Sequence, residues 1–327
     1  MLSRRKKVFK GIALLLALTL VFVAFSACAG NSAKSDTVTI RIAQQYGMLY
    51  APVYVTEKLG LLEKHLPGAN LEWSQLTGGA AINEALIAGQ LDVGFVGIPP
   101  ALIAWDKGAD YRMAAGICVP TFELMVNDPN IKTIADFSDT DKIAVPGIGS
   151  IQHILLAMAA EKILGDANAL DDNLVPMAHP EAFTALTSGT EIVGHFGNLP
   201  IIDLEKQAGC VSILTDRDAY ASGASIVCVT TAQFNNQKVA HEGLVAALSE
   251  AIDLINARDP EVIGIIAEVE KISEEEVIRY LDWPGTLYDI KIYGAMGLAR
   301  FMNEQGFIEN SPESINDIVW EGVATVD

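Results

Sequence analysis

The chain has 327 residues, half of them hydrophobic and only 19% charged, and its 41 acidic residues against 22 basic ones give a formal net charge of −19. A nucleic-acid-binding protein needs a basic face to neutralise phosphates, so this charge excludes that class of partner. The high apolar content excludes a disordered chain. The length fits one large or two medium-sized domains.

The first 36 residues are interpreted as a targeting segment outside the fold. Basic residues up to Lys10 precede an apolar run over 11–25 and then small residues, which is the order of an export signal. We predict a signal peptide over 1–27 and a flexible tether over 28–36, with an uncleaved N-terminal anchor as the alternative. The run Phe25-Ser26-Ala27-Cys28 resembles a bacterial lipobox, although lipoboxes usually begin with Leu, and it implies that Cys28 is the lipidation site.

Three further cysteines lie inside the predicted fold, at 118, 210 and 228. Cys118 and Cys228 each belong to a strand-like apolar run, and no C-x-x-C spacing occurs, so neither a zinc site nor a redox motif is supported. We expect free buried thiols, although the sequence leaves a pairing among the three open.

From residue 37 to 108, short apolar runs alternate with segments of helical pattern. The predicted strands cover 37–44, 70–76 and 91–96, and the predicted helices cover 53–59, 80–88 and 101–107, each ended by Gly. Strand, helix and strand in this order predict a parallel sheet with right-handed crossovers.

Two consecutive strands, 111–119 and 122–126, are separated by Pro120 and predict a crossing into a second lobe. That lobe is predicted to contain strands at 143–145, 174–177, 191–195 and 211–214 and helices at 151–164, 181–186 and 201–207. A strand over 225–229 is predicted to return to the first lobe, followed by helices at 239–257, 261–269, 274–281, 291–305 and 313–320. The predicted class is therefore α/β with two lobes, 37–121 plus 224–327 and 122–223, each a mainly parallel sheet flanked by helices, joined by two hinge crossings.

Five Gly- or Pro-containing loops follow predicted strands and precede helices, at 77–79, 97–100, 146–150, 178–180 and 197–200. In a parallel sheet such loops share the carboxyl edge, where open α/β folds bind ligands, and helix N-termini there suit an anion or a polar acceptor. Each loop alone is explained more simply as a tight turn. Five of them in two lobes favour a ligand cleft. They hold neither Lys nor Arg, so a neutral or weakly polar ligand is as compatible as an anion.

The motifs of common enzymes are incomplete in this chain. The run from Gly147 to Gln152 lacks the third glycine of a dinucleotide site, no Walker motif occurs, and Ser150 lacks a G-x-S-x-G setting and is predicted to be a helix N-cap. His153, His179 and His195 follow second-lobe strands, but neither H-x-x-x-H spacing nor a nearby Cys or acid supports zinc. We predict hydrogen-bonded histidines, with no metal and no cofactor.

Several segments, in their order and spacing, resemble one family: APVYVTEKLGLL at 51–62, GGAAINEALIAGQLDVG at 78–94, KIAVPGIGSIQHILL at 142–156 and ARFMNEQGFI at 299–308. They resemble solute-binding proteins of ABC transporters of the nitrate/sulfonate/taurine type, a group that includes pyrimidine-precursor binders. The resemblance implies a periplasmic-binding-protein-like type II fold whose loops surround a ligand between two lobes. Carried onto this chain, it implies that the ligand-binding residues are Gln44, Tyr46, Gly78, Gly79, Ile98, Pro99, Ser150, Gln152, His153, His195 and Asn198.

The function that the resemblance implies is capture of a solute without chemical change. We expect a monomeric, lipid-anchored protein on the extracytoplasmic face of the cell membrane, or in the periplasm, that is not an enzyme. It would deliver a small organic or anionic solute, sulfonate-, nitrate- or taurine-like or heteroaromatic, to an ABC importer permease by hinge closure. The alternatives are a pyrimidine-precursor (thiamine-pathway) binder or enzyme on the same scaffold, whose cysteine-rich signature is absent, and a sensor without a transported ligand.

Overall fold

The computed structural model describes residues 39–45, 47–76, 78–189 and 191–326. The predicted signal peptide, the tether with Cys28, and the predicted ligand residue Tyr46 lie outside the described residues. Within the described ranges, no helix combines the length and the apolar character needed to cross a membrane.

The first sheet has five strands in the order β2-β1-β3-β10-β4. Their bounds are Thr39–Gln44 (β1), Asn70–Gln75 (β2), Val93–Gly97 (β3), Tyr111–Cys118 (β4) and Ile226–Thr231 (β10). β1 pairs in parallel with β2 and β3, whereas β10 is antiparallel to both β3 and β4. Four strands therefore run in one direction and β10 alone is reversed.

The second sheet repeats this arrangement, in the order β7-β6-β8-β5-β9. Its strands are Phe122–Val126 (β5), Lys142–Val145 (β6), Leu174–Pro176 (β7), Ile192–Asn198 (β8) and Val211–Thr215 (β9). β6 is parallel to β7 and β8, and β5 is antiparallel to β8 and β9. In each sheet the reversed strand is the one that follows a crossing between the sheets. The predicted α/β class with two mainly parallel sheets is confirmed.

Helices flank both sheets. Their bounds are Ala51–Lys58 (α1), Leu61–His65 (α2), Gly79–Ile87 (α3), Ile98–Asp106 (α4), Ile151–Leu164 (α5), His179–Thr187 (α6), Ile201–Gln207 (α7), Asp216–Ala219 (α8), Ala232–Asn235 (α9), Lys238–Asn256 (α10), Pro260–Glu270 (α11), Glu274–Leu281 (α12) and Ala295–Glu304 (α13). A short parallel pair, Ile292–Tyr293 (β11) and Thr325–Val326 (β12), joins the C-terminal segments.

Local capping explains why some predicted bounds agree with the structure. Ser150 is the N-cap of α5, as predicted, because its hydroxyl accepts a hydrogen bond from the His153 N–H. Gly165 ends the same helix in the left-handed region, with φ 79°. Ser273 begins α12 with a capping box that is completed by Glu276. These residue choices define the ends of both helices within the local sequence.

The predicted helix over 313–320 is wrong. Only a 3-10 turn, Ile315–Asp317, forms there. The chain then runs along the edge of β4, where the Met113 N–H donates to Ile318 O at 2.9 Å and the Trp320 N–H donates to Met113 O at 3.0 Å. The open edge of β4 supplies the backbone partners that a helix would otherwise supply to itself, so the segment is extended.

The predicted strand over 191–195 is too short, because β8 runs on to Asn198. Its last residues pair with the antiparallel β5, with Asn198 opposite Phe122. The pairing keeps the Gly197-Asn198 segment extended, although its composition suggested a turn. Asn198 consequently lies at the end of a strand and not within a loop.

Candidate functional site

The carboxyl ends of three strands in each sheet point to one region of the molecule. In the first lobe these are β1, β2 and β3, and in the second lobe β6, β7 and β8. The loops of the two lobes touch there: a Cβ atom added at Gly97 would lie 3.3 Å from Cβ of Ile151. Likewise, a Cβ atom at Gly149 would lie 2.7 Å from Cδ1 of Ile103. The predicted ligand loops are therefore opposed across the two sheets.

A narrow cavity of about 10 Å³, which is room for about one water molecule, also lies between the lobes. That volume is far below the ~300–1,000 Å³ of typical ligand pockets, so a solute would fit there only if the lobes separated. Its lining residues are contributed by both lobes and by the crossing between them: Leu49, Cys118, Pro120, Thr121, Asn198, Leu199, Tyr280, Thr286 and Tyr288.

The cavity lining contains no cationic side chain, and several of its hydroxyl groups already donate to the protein. Tyr288 donates to Met48 O at 2.8 Å, Tyr280 to Oδ2 of Asp203 at 2.9 Å, and Thr121 to Pro284 O at 2.9 Å. A donor that is already used within the fold is not free for a ligand. Asn198 is therefore the side chain in the lining best suited to polar contact with a solute.

In the first lobe, the predicted ligand residues are mostly small or apolar. Gly78 is the N-cap of α3 and Gly79 its first residue, where a Cβ atom would lie 3.1 Å from Cβ of Pro100. Ile98 is fully buried at the start of α4, next to Pro99. The close approach to Pro100 explains why a residue without a side chain occupies position 79.

Gln44 has the one polar side chain among the predicted first-lobe ligand residues that the structure describes. It lies at the end of β1, is 8% exposed, and donates from Nε2 to Oε2 of Glu57 at 3.0 Å. Its Oε1 is buried and has no hydrogen-bond partner among the described residues. An unsatisfied buried acceptor of this kind marks a position where a ligand donor would be favourable.

In the second lobe, His153 is held by its own loop. The Gly149 N–H donates to Nδ1 of His153 at 2.9 Å, so Nδ1 is the acceptor and the ring proton lies on Nε2, which is 3.2 Å from Oδ1 of Asp171. Both ring nitrogens therefore have protein partners. Direct contacts of Ser150 and His153 with a ligand stay predictions.

Three further polar side chains of the second lobe are connected by hydrogen bonds, and we call them the relay: Glu205, His195 and His179. Oε1 of Glu205 is 2.5 Å from Nδ1 of His195, and Nε2 of His195 is 2.8 Å from Nδ1 of His179. The outer nitrogen of the relay, Nε2 of His179, is 3.3 Å from Nδ2 of Asn198 and 3.4 Å from Nε2 of Gln152. The relay thus connects the cavity wall at Asn198 to a carboxyl group inside the lobe.

Burial determines the charge of the relay. His195 and Glu205 are both 0% exposed. Removal from water, with the neighbouring His195 as a second cause at His179, lowers the pKa of His179 and the pKa of His195 to about 3. The same loss of water raises the pKa of Glu205 to about 8. At neutral pH both rings are uncharged, and the carboxyl group is close to the pH at which it exchanges its proton.

The sequence analysis missed His179 and Glu205 as site residues. His179 was considered only as a metal ligand, and the structure brings it to His195 but not to His153. Across the described ranges, no group of three or more His, Cys, Asp or Glu side chains is arranged to hold a metal ion. A signal for Glu205 does exist: it lies three residues after the buried Ile202 on α7 and therefore on the inward face of that helix. His195 is too deeply buried to face a solvent-filled cleft, so its direct contact with a ligand stays a prediction.

Comparison with known proteins gives consistent matches. A family model described as the NMT1-like family matches residues 33–270. A protein of Escherichia coli (strain K12) named for binding aliphatic sulfonates is 24% identical over 255 residues, which is 77% of each chain. Among solved structures, the periplasmic aliphatic sulphonate binding protein SsuA from Escherichia coli is 22% identical, with a TM-score of 0.69 over 88% of this chain and 94% of its own. The alkanesulfonate-binding protein SsuA from Xanthomonas axonopodis pv. citri, solved with MOPS, is 19% identical, with a TM-score of 0.70 over 88% and 99%. These structures share the periplasmic-binding-protein fold with this chain.

Proposed function

Because the chain belongs to the NMT1-like family, we propose that it is an extracytoplasmic solute-binding protein that delivers a small solute to the permease of an ABC importer. The relatives named above are binding proteins for sulfonates. The proposed domains are 37–121 plus 224–327 and 122–223, which move about the two crossings when a solute binds.

The observation that carries this proposal is the meeting of loops from the carboxyl edges of two sheets that have the same topology. The loops after β3 and β6 touch, and the narrow cavity is lined from both lobes and from the crossing at Pro120 and Thr121. A solute in this position would contact both lobes only when they are closed. Closure would therefore report occupancy to a transporter without any chemical step.

The chemistry of the cavity favours a receptor over an enzyme. Cys118 is the thiol in its lining, and burial raises the pKa of Cys118 far above its usual value. The thiol is therefore protonated and a poor nucleophile. A pyrimidine-precursor binder remains compatible with the same wall, since a heteroaromatic ring offers acceptors and donors of the kind that Asn198 recognises.

We propose a sulfonate-, nitrate- or taurine-like anion, or a small heteroaromatic molecule, as the solute. A lining without cations requires that its polar contacts come from amide groups, imidazole and backbone N–H groups. The signal peptide over 1–27 and lipidation at Cys28 belong to the same proposal, with the protein held at the extracytoplasmic face of the membrane or free in the periplasm.

Thermal unfolding with a ligand panel tests the proposal. Full-length protein is unfolded with ethanesulfonate, taurine, nitrate and a pyrimidine, and native mass spectrometry identifies any molecule that co-purifies. A ligand at a hundredfold excess over its Kd stabilises the folded state by about 2.7 kcal/mol. We expect one class to raise the melting temperature and to be recovered unchanged, with a smaller radius of gyration in solution scattering. Recovery of a converted product, or a radius that stays constant at saturation, would contradict the proposal.

A further inference from the structure

The relay connects the lining of the cavity to a buried acid through ring nitrogens alone. Asn198 lines the cavity, His179 lies behind it, His195 lies behind His179, and Glu205 ends the chain. Oε2 of Glu205 is buried and has no hydrogen-bond partner among the described residues. A carboxyl group with one oxygen bonded to an imidazole and the other bonded to nothing is an unusual use of a buried acid, because it stabilises neither lobe strongly.

Each hydrogen bond of the relay has one hydrogen between two heavy atoms, so the hydrogens of the relay have two consistent arrangements. In the first, Glu205 is a carboxylate that accepts from Nδ1–H of His195, whose Nε2 accepts from Nδ1–H of His179. The outer nitrogen of His179 is then an acceptor. In the second, Glu205 is protonated and donates to Nδ1 of His195, and Nε2–H of His195 donates to Nδ1 of His179. The outer nitrogen of His179 then carries a hydrogen and is a donor.

The two arrangements differ by one proton. A proton that arrives at Nε2 of His179 releases the Nδ1 proton of that ring to His195, which releases its own Nδ1 proton to Glu205. No ring becomes charged in either end state, and the net charge of the relay changes only from −1 to 0. The structure shows amide nitrogens of Asn198 and Gln152 facing His179, which is the geometry of the first arrangement. Burial of Glu205 favours the second, because a buried carboxylate is costly.

We propose that the relay is a proton-operated switch that decides whether the cavity wall at Asn198 offers a hydrogen-bond donor or an acceptor to the solute, and that the solute bound by the protonated relay carries acceptor oxygens. This inference rests on the proposed solute-binding function. When His179 donates, the amide of Asn198 turns its oxygen towards the ring and its NH₂ group towards the cavity. When His179 accepts, the NH₂ group faces the ring and the oxygen faces the cavity.

The groups around Glu205 leave His195 as the main partner with which its carboxyl group exchanges a proton. From β8 it faces His195 and the backbone at Gly197, where a Cβ atom would lie 3.5 Å from Oε2 of Glu205. Its backbone oxygen accepts from the Cys210 N–H, and burial, with Glu205 as the second cause, raises the pKa of the Cys210 thiol.

The neighbouring charges on the same helix are already paired. Lys206 is bonded to Glu123 of β5 at 2.7 Å, and Asp203 is bonded to Arg279 at 2.7 Å. The pKa of Glu205 is raised by burial, with no charged neighbour among its causes. The proton of Glu205 is therefore exchanged through His195.

The geometry of the relay and the absence of cations from the lining favour a solute that carries hydrogen-bond acceptors. With no cation in the lining, the NH₂ group of Asn198 is a donor that the second lobe can offer to a solute, and it faces the cavity only when the relay is protonated. An anion such as a sulfonate would then take up one proton on binding at high pH. Its affinity would fall about tenfold for each pH unit above the pH at which Glu205 loses its proton, which is the dependence for one linked proton.

Histidine tautomers test the switch in the protein without ligand. The chain has five histidines, so ¹⁵N-labelled rings give few signals, and the His179→Gln variant assigns one of them. We expect His179 to carry its proton on Nε2 at pH 6 and on Nδ1 at pH 10, with a midpoint near pH 8. The Glu205→Gln variant should hold one tautomer throughout. A wild-type His179 that keeps a single tautomer from pH 6 to pH 10 overturns the switch, whether or not the variant folds.

Binding of ethanesulfonate tests the coupling, because this anion does not titrate in the same range. Calorimetry in buffers of different ionisation enthalpy should show uptake of about one proton at pH 9 in the wild type and none in Glu205→Gln. Glu270→Gln is the matched control, since Glu270 is another buried acid and lies outside the relay. It should keep the wild-type uptake. Binding without pH dependence in the wild type overturns the coupling. Absence of binding at every pH contradicts a sulfonate as the solute, and the tautomer experiment then decides the switch alone.

Discussion

The two lobes have sheets of the same strand order, yet their carboxyl edges differ in chemistry. The junction between β3 and α4 in the first lobe and the junction between β8 and α7 in the second both contain Pro. The first contributes Gly97 and Ile98, which pack closely. The second contributes Asn198, behind which the relay lies. Equal topology therefore supports different chemistry, with small and apolar residues at the first edge and a hydrogen-bonded chain of polar groups at the second.

The variant with the largest expected effect on stability tests this difference between the lobes. His195→Ala removes the partner of both Glu205 and His179, and leaves two buried polar groups unsatisfied. We expect a loss of about 3 kcal/mol in the free energy of unfolding without ligand, since each unsatisfied buried group costs ~1–3 kcal/mol. The first-lobe control is Gln44→Ala, which removes one bond to Glu57 and should cost about 1 kcal/mol. Urea unfolding measures both. Equal losses would contradict the difference between the lobes.

The pH dependence of stability gives the next effect. The pKa of Glu205 is about 8 in the folded protein, above its usual value of 4.5, so the folded state keeps a proton that the unfolded chain has released. The contribution of this proton to the free energy of unfolding is complete below pH 4.5. It is lost as the pH rises to 8, at about 1.4 kcal/mol per pH unit. The pKa values of His179 and His195, lowered from 6.5 to about 3, act in the opposite sense between pH 3 and 6.5.

Between pH 6.5 and pH 8 only Glu205 of the relay therefore changes stability, and stability should decline. Glu270, whose pKa burial raises to about 7, acts in the same direction in the lower part of this range, so the comparison must be with a variant. Glu205→Gln should remove about one proton from the slope of unfolding free energy against pH in this range. An unchanged slope would show that Glu205 does not hold its proton in the folded state.

A smaller effect is expected at the contact between the loops. Gly149 has φ 76°, and a Cβ atom there would lie 2.7 Å from Cδ1 of Ile103 in the opposing lobe. Gly149→Ala should cost about 1 kcal/mol through backbone strain and should also oppose lobe closure. Gly147→Ala is the control, because nothing lies within 4 Å of its Cβ position. Solution scattering with saturating ligand should show a larger radius of gyration for Gly149→Ala alone. Identical radii would mean that Ile103 moves aside.

The pattern of the sequence predicts the elements better than it predicts the site. The bounds of α5, α7 and α12 agree with the predictions because caps and apolar periodicity are local. The reversed direction of β5 and β10 is a property of the crossings, and strand direction leaves no local pattern. The relay joins β8 to α6 and α7, which the sequence separates by up to 26 positions between His179 and Glu205. Its partners could be found only once the sheet order was known.

The smallest effect concerns a bridge between α7 and α12, which belong to different lobes. Asp203 of α7 accepts at Oδ2 from Nη2 of Arg279 at 2.7 Å and from the Tyr280 hydroxyl at 2.9 Å, and both partners belong to α12, which packs on α11. Lys206 of α7 lies 4.9 Å from the ring centre of Trp283. These contacts connect the helix that carries Glu205 to the C-terminal part of the chain.

Asp203→Asn keeps the shape of the side chain and removes its charge. Because Arg279 is 46% exposed, the ion pair contributes little, and we expect a loss of about 0.5–1 kcal/mol in the unfolding free energy of the protein without ligand. If the bridge holds the lobes together, the variant should also release bound ligand faster, by a few fold, in a stopped-flow displacement experiment. Glu276→Gln is the control, since Glu276 is 3.8 Å from the same guanidinium but lies on α12 itself. Equal release rates in both variants would show that the bridge has no influence on closure, and the asymmetry between the lobes would then rest on the relay alone.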